Sequence, residues 1–206
     1  MRTDRRRDSL SLYEKLRYIS KTKGNNAYIN LGIDMTASKE IEVKSDYLLD
    51  YIQLIGTSTS FRFYPQKDIY WQFQINNRWI SLGANPVTLQ DGIYSIIVRS
   101  GQIEDVYTGK KIGSIMNIGG DAPITVFVDS YNSYGNVYYF NIKENGKYIM
   151  KLIPVKRKSD GMIGMYDKVG GKFYTSPNGA KFSGGVSRRI SLLQLFTSVM
   201  AERRAA

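Results

Sequence analysis

The stretch Glu40-Ile41-Glu42-Val43-Lys44 sets two carboxylates on alternate positions of a run with strand character, so both side chains leave one face. Sandwich-type glycosidases use such a pair, with the carboxyl groups about 5 Å apart as nucleophile and general acid. Lys44 stands where a third acid would tune the pair, and a Glu-x-Glu alternation equally describes the wetted face of a strand. The pair is therefore expected to be structural, and no catalytic residue is assigned. The second candidate is the polar loop 128–136, where Tyr131, Asn132 and Tyr134 sit among Asp, Ser, Gly and Asn. Tyrosine supplies contact area at low entropic cost beside adaptable polar groups, so a binding role is expected and sugar would suit such a platform. The alternative is that these tyrosines cover the rim of the fold. Asp129 and Asn136 are oxygen ligands of the kind calcium takes, but their spacing matches no defined calcium loop, and no metal site is assigned.

Other chemistry is excluded by composition. The chain has no cysteine and no histidine, which removes disulfides, thiolate nucleophiles, Ser-His-Asp triads and the usual zinc ligands together. No Walker loop, G-x-S-x-G elbow or G-x-G-x-x-G turn occurs, and no cofactor is expected. The net charge of +11 is concentrated: residues 1–25 carry +5, residues 151–172 +4 and residues 181–206 +4, leaving about −2 for the remainder. A nearly neutral body with basic ends does not describe a nucleic-acid groove, which would spread Lys and Arg across one face among stacking aromatics. The ends are either solvated tails or arms that dock on an acidic partner. Arg2, Arg5, Arg6 and Arg7 precede any strand signal and are read as assembly contacts. Asp4 and Asp8 between and behind them argue against tracking phosphates. No apolar run follows the N-terminus, so neither a signal peptide nor a membrane span is expected.

The elements that would position these residues are strands. With 206 residues, 16 of them tyrosine and 8 phenylalanine, the chain fits one domain with appendages. Its middle reads as short β-branched or aromatic runs between Gly, Asn, Asp and Ser clusters. Strands are expected near 16–20, 27–33, 40–48, 51–56, 60–64, 70–75, 78–82, 93–99, 102–107, 124–128 and 136–142, more than one open sheet holds without splitting or closing. Asn145-Gly146 marks a type I′ hairpin with Glu144 opposite Lys147. Its register places Tyr138, Phe140, Ile142, Ile149 and Ile153 on one inward face, with Lys151 as the exception. Turns at Asp160-Gly161, Gly170-Gly171 and Asn178-Gly179 continue a meander, and Trp71 and Trp79 are expected in the core. From Ser187 onward, Ile190, Leu193, Phe196 and Met200 fall at helical spacing; Leu193, Phe196 and Met200 form an apolar stripe that packs on the chain's own sandwich or on a neighbouring subunit. The expected division is a basic arm 1–15, a sandwich domain 16–185 and a C-terminal amphipathic helix 186–206.

Two stretches carry a resemblance. Leu152-Ile153-Pro154-Val155-Lys156-Arg157, followed by the run from Gly161-Met162-Ile163-Gly164-Met165-Tyr166-Asp167 through Lys168-Val169-Gly170-Gly171-Lys172-Phe173-Tyr174, is similar to the closing segment of concanavalin A-like (laminin-G-like) jelly-roll modules of phages and prophages of gut bacteria. Tyr18-Ile19, Gly24, Ala27-Tyr28-Ile29 and Leu31-Gly32-Ile33 resemble those modules' first hairpin. The likeness spans residues 16–183, with the middle matching only in strand content. It departs from the pattern where Ser176-Pro177-Asn178-Gly179, in place of an Asn-Ala-Gly-Thr-Gly-like turn, precedes Phe182. The resemblance implies an all-β concanavalin A-like jelly-roll sandwich and a virion setting. The protein would be a non-enzymatic head or collar fibre or decoration protein, made in the bacterial cytoplasm and presenting its sandwich for host-surface glycan attachment. Its partners would be other virion proteins of capsid, collar or tail and further copies of itself, with no specific nucleic acid and no membrane. The alternatives are a carbohydrate-active enzyme or a tail-fibre receptor-binding tip. The motif residues are expected to be structural, with glycines in turns and Tyr166 at a rim.

Overall fold

The structure is a computed structural model that describes residues 9–22, 24–46, 55–56, 61–64, 71–75, 78–82, 86–115, 123–127 and 135–185. A 3-10 turn (Leu10–Leu12), capped by the Ser9 hydroxyl, leads into β1 (Tyr13–Lys15), β2 (Tyr18–Lys21), β3 (Ile29–Asp34) and β4 (Lys39–Asp46). Then come β5 (Ile55–Gly56), β6 (Phe61–Tyr64), β7 (Gln72–Ile75), β8 (Arg78–Ser81), β9 (Ile93–Arg99), β10 (Gln102–Asp105) and β11 (Lys110–Gly113). The remaining strands are β12 (Pro123–Val126), β13 (Gly135–Glu144), β14 (Lys147–Arg157), β15 (Ile163–Asp167), β16 (Lys172–Tyr174) and β17 (Ser183–Gly185). Among the described residues they form two antiparallel sheets. The larger runs β11-β10-β9-β4-β13-β14-β15-β16 and also takes in β1, β2 and β17; the smaller runs β3-β12-β5-β6-β7-β8.

The sheets share one core, as the alternation of apolar residues requires. Ile41 and Val43 of β4, Ile96 and Val98 of β9, Phe140 and Ile142 of β13 and Leu152 of β14 face Ile29, Leu31, Phe63, Ile124 and Val126 of the smaller sheet. Trp71 lies fully buried among them, 5.4 Å from the Phe63 ring and 4.9 Å from that of Tyr94. The side chain of Trp79, the other expected core tryptophan, lies outside the described residues.

The Asn145-Gly146 turn has positive φ at both positions, 49° and 75°, as a type I′ turn needs, and Glu144 pairs with Lys147. The inward face differs from the expected one because the pairing slips. Ile142 pairs with Met150 and Lys143 with Tyr148, so Ile149 is an extra residue and the parity of β14 reverses. Met150 and Leu152 point inward while Lys151 lies on the outer face, where a cation belongs. A second slip opposes Val137 to Ser45 and Tyr139 to Lys44, leaving Tyr138 as the extra residue. Tyr138 turns outward, where its hydroxyl donates to Asp46 at 2.8 Å.

Three further differences concern the ends of the domain. Residues 13–15, which the charge pattern assigns to the basic arm, form β1 and pair with residues 155–157. The reason is a second small core on the outer face of the larger sheet, where Tyr13, Val155 and Tyr166 pack with Leu10, Ile153 and Phe173. Tyr166 is therefore buried and not at a rim. Nor is the first hairpin a hairpin: β2 pairs with β13 and β17 in the larger sheet and β3 with β12 in the smaller, so the two strands lie in different sheets. The N-terminal strands enter where β13 and β14 part, β1 continuing beside β14 and β2 beside β13.

Candidate functional site

Two places in the described residues gather groups that could recognise a ligand. The first is the outer face of the larger sheet. Strand alternation puts Ile41, Val43 and Ser45 of β4 inside and Glu40, Glu42, Lys44 and Asp46 outside. Glu42 accepts from the Tyr139 hydroxyl at 2.8 Å and from that of Tyr148 at 3.5 Å. Tyr139 in turn is 2.8 Å from the Ser95 hydroxyl. Burial, and then the Glu42 carboxylate beside it, hold the Tyr139 phenol well above its ordinary range. Tyr138 is pushed the same way by burial and by Asp46. Both phenols are thus donors at any physiological pH. Tyr148 stands 37% exposed with the Lys151 ammonium 3.7 Å from its ring centre and that of Lys143 at 5.0 Å. Glu40 pairs with Arg99 at 3.4 Å, and Arg99 with Glu104 at 2.7 Å. Glu40 and Glu42 do leave the same face, as their spacing implies, and each is engaged by donors of the sheet itself.

The second place is a cavity of about 280 Å³ between the β14–β15 turn and the segment 175–182. Asp160, Met162 and Ile163 form one wall; Thr175, Ala180, Lys181 and Phe182 contribute to the other. Arg157 organises the first wall. Its guanidinium grips Asp160 through Nε at 3.0 Å and Nη2 at 2.6 Å, reaches the Met162 sulfur at 3.6 Å, and lies over the Phe173 ring at 4.9 Å. Hydrogen bonding from Arg157 and the Met162 amide lowers the Asp160 carboxyl to about 2. The second wall is bolted to residues 25–28: Asn178 donates to the Asn26 carbonyl at 3.0 Å, Asn25 to that of Lys181 at 2.8 Å, and the Tyr28 amide to the Ser176 hydroxyl at 3.1 Å.

The closing segment owes its form to structure. Asp167, buried, accepts from the amides of Lys151, Val169 and Gly170, each at 2.9 Å, and so ties the β15–β16 turn to β14. Asp105 does the same at the other end of the sheet, taking the amides of Thr88 at 2.7 Å and Tyr107 at 2.9 Å. Burial pulls its carboxyl upward, but those hydrogen bonds prevail and hold it below the usual value.

The expected binding residues Tyr131, Asn132 and Tyr134, the arginines Arg2, Arg5, Arg6 and Arg7, and the helical Leu193, Phe196 and Met200 all lie outside the described residues. Of the first site the sequence singled out only the Glu40–Glu42 pair and not Tyr139 or Tyr148, and the cavity was not expected at all. The signal for the cavity was available in Arg157-x-x-Asp160-Gly161, a cation three residues before an Asp-Gly turn. No group of three or more acidic residues that could hold a metal occurs among the described residues, and no helix there is long and apolar enough to cross a membrane.

No protein family matches this sequence, and no curated protein does. Among solved structures the fold is similar to a crystal structure of a "putative carbohydrate binding protein" from Bacteroides ovatus, with a TM-score of 0.51 and 12% sequence identity over 84% of this chain. This chain spans 61% of the length of that one. At such identity the likeness is one of fold: an all-β protein of two antiparallel sheets.

Proposed function

We propose that this chain is a non-enzymatic, glycan-binding jelly-roll module of a phage particle, where it presents the outer face of its larger sheet to host-surface sugars. The observation that carries the binding reading is the group around Tyr148. A partly exposed ring, two ammonium groups over it and the Glu42 carboxylate at its hydroxyl are fixed on rigid strands. Such a surface suits a saccharide, whose C–H face lies on an aromatic ring while its hydroxyls meet charged donors and acceptors. The fold likeness to a protein described as carbohydrate-binding supports the same reading. Engagement of Glu40 by Arg99 and of Glu42 by two phenols favours binding over hydrolysis, since a glycosidase pair must turn toward its substrate. The virion setting rests on the resemblance of residues 152–174 to phage modules.

The test is a glycan array read with wild type and Tyr148→Ala, with a turnover assay on every retained glycan and quantitation of the protein in purified particles. Retention that falls about tenfold in Tyr148→Ala, no cleavage and a fixed copy number per particle are expected. Cleavage lost in Glu40→Gln or Glu42→Gln would replace the reading with an enzyme, and an empty array with no protein in particles would end it.

A further inference from the structure

We infer that the cavity between the β14–β15 turn and residues 175–182 is a subsite for one N-acetylated amino sugar; the inference rests on the glycan-binding reading and names the class of sugar. Its volume of about 280 Å³ lies at the lower limit for small-molecule sites, enough for one ring and too small for an oligosaccharide. Its chemistry is divided. Met162, Ile163, Ala180 and Phe182 give an apolar floor, while Asp160 and Lys181 line opposite walls. The lining contains a single aromatic residue, Phe182, and that one is buried, so no exposed ring offers itself to the C–H face of a plain hexose. An acetamido group fits these surroundings better. Its methyl takes the apolar floor, its N–H has the Asp160 carboxylate as acceptor and its carbonyl the Lys181 ammonium as donor.

The walls are prepared for a ligand. Arg157 fixes both Asp160 and Met162, so the acceptor and part of the floor are held by one guanidinium that is itself placed over Phe173. Asn25, Asn178 and Ser176 fix the opposite wall through bonds to the main chain and to one another. A pocket whose walls need not be ordered on binding loses less affinity to that ordering.

The experiment is a two-dimensional NMR titration of the full chain, labelled at methyl groups and amides, with N-acetylglucosamine, N-acetylgalactosamine and glucose as probes. N-acetyl sugars should shift Ile163, Ala180 and Met162, and glucose at equal concentration should not. Lys181→Ala, whose main-chain bond to Asn25 is retained, should weaken N-acetyl sugar binding roughly tenfold. Ala180→Leu should abolish the shifts by filling the floor, with the spectrum of the remaining residues attesting the fold. Shifts confined to Tyr148 and its neighbours, equal shifts from glucose, or unchanged affinity in Lys181→Ala would overturn the subsite and leave the glycan-binding reading standing. Absence of any shift would overturn the subsite, while the array separately decides the wider reading.

Discussion

Replacing Tyr13 by alanine tests whether the first strand belongs to the sandwich. Tyr13 is 5% exposed, stacked on Phe173 with ring centres 5.3 Å apart and tilted against Tyr166 at 5.1 Å. A side chain of this kind buries about 150–250 Å², which at about 25 cal/mol per Å² sets an upper bound of roughly 4–6 kcal/mol. Truncating buried aromatics costs about 3–5 kcal/mol. The small outer core is bordered by only a few residues and collapses readily, so the lower figure applies, about 3 kcal/mol. In a chain of 206 residues that corresponds to a fall in Tm of about 6–12 °C. Thermal unfolding followed by circular dichroism, with urea titration alongside, measures it. Hydrogen exchange should accelerate at the β1 amides, which pair with residues 155–157. Tyr13→Phe keeps the ring and should recover most of the loss. A Tm within about 2 °C of wild type in Tyr13→Ala, with β1 exchange unchanged, would show that the strand is an appendage and refute the argument from burial.

Gly164→Ala should cost about 3 kcal/mol or more, because a Cβ there would overlap the Tyr174 main-chain oxygen and come within 2.9 Å of the Phe173 ring; wild-type stability in urea would disprove the close approach of β15 and β16. Asp105 contributes stability above its unfolded value of 3.8, and because its folded value is lower, that contribution fades as pH falls through the folded value. Asp105→Asn should therefore be less stable than wild type at pH 7, with a gap that narrows below about pH 4; a gap independent of pH in urea titrations would contradict the assignment. Removal of residues 1–8, which spares the Ser9 cap, should leave Tm unchanged within about 2 °C and abolish incorporation into particles. Normal incorporation of the shortened chain, measured by its copy number, would dismiss the arginines as an anchor.

The features legible in the sequence are those decided within a few residues. Asn145-Gly146 announces its turn because few pairs tolerate positive φ twice in succession, and Glu144 opposite Lys147 follows from the loop length. The same hairpin becomes illegible a few residues later: no turn residue marks the slip at Ile149 within it, and the bulge at Tyr138 answers to β4, far back in the chain, where Asp46 takes its hydroxyl. Tyr18-Ile19 and Tyr28-Ile29 look like two arms of a hairpin because each alternates correctly, but alternation reports a buried face and not which strand lies alongside. The candidate sites were hidden for a similar reason. Glu42, Tyr139 and Tyr148 come from three strands, and Asp160 and Lys181 from two loops, so no local pattern brings them together.

The parting of β13 and β14 bears on the order in which the molecule is made. The place that β1 and β2 occupy is bounded by residues 155–157, 135–137 and 183–185, so these two strands, made before any of their neighbours, must wait for more than a hundred further residues before they find partners. Contacts so distant in sequence form slowly. Until then the flanks of β13 and β14 stand open to any chain with the right alternation, and at high local concentration that chain is the same segment of another copy. A protein translated from many messages at once would on this account face a race between closing its own sheet and lending its first strand to a neighbour, and dilution during refolding should decide the outcome.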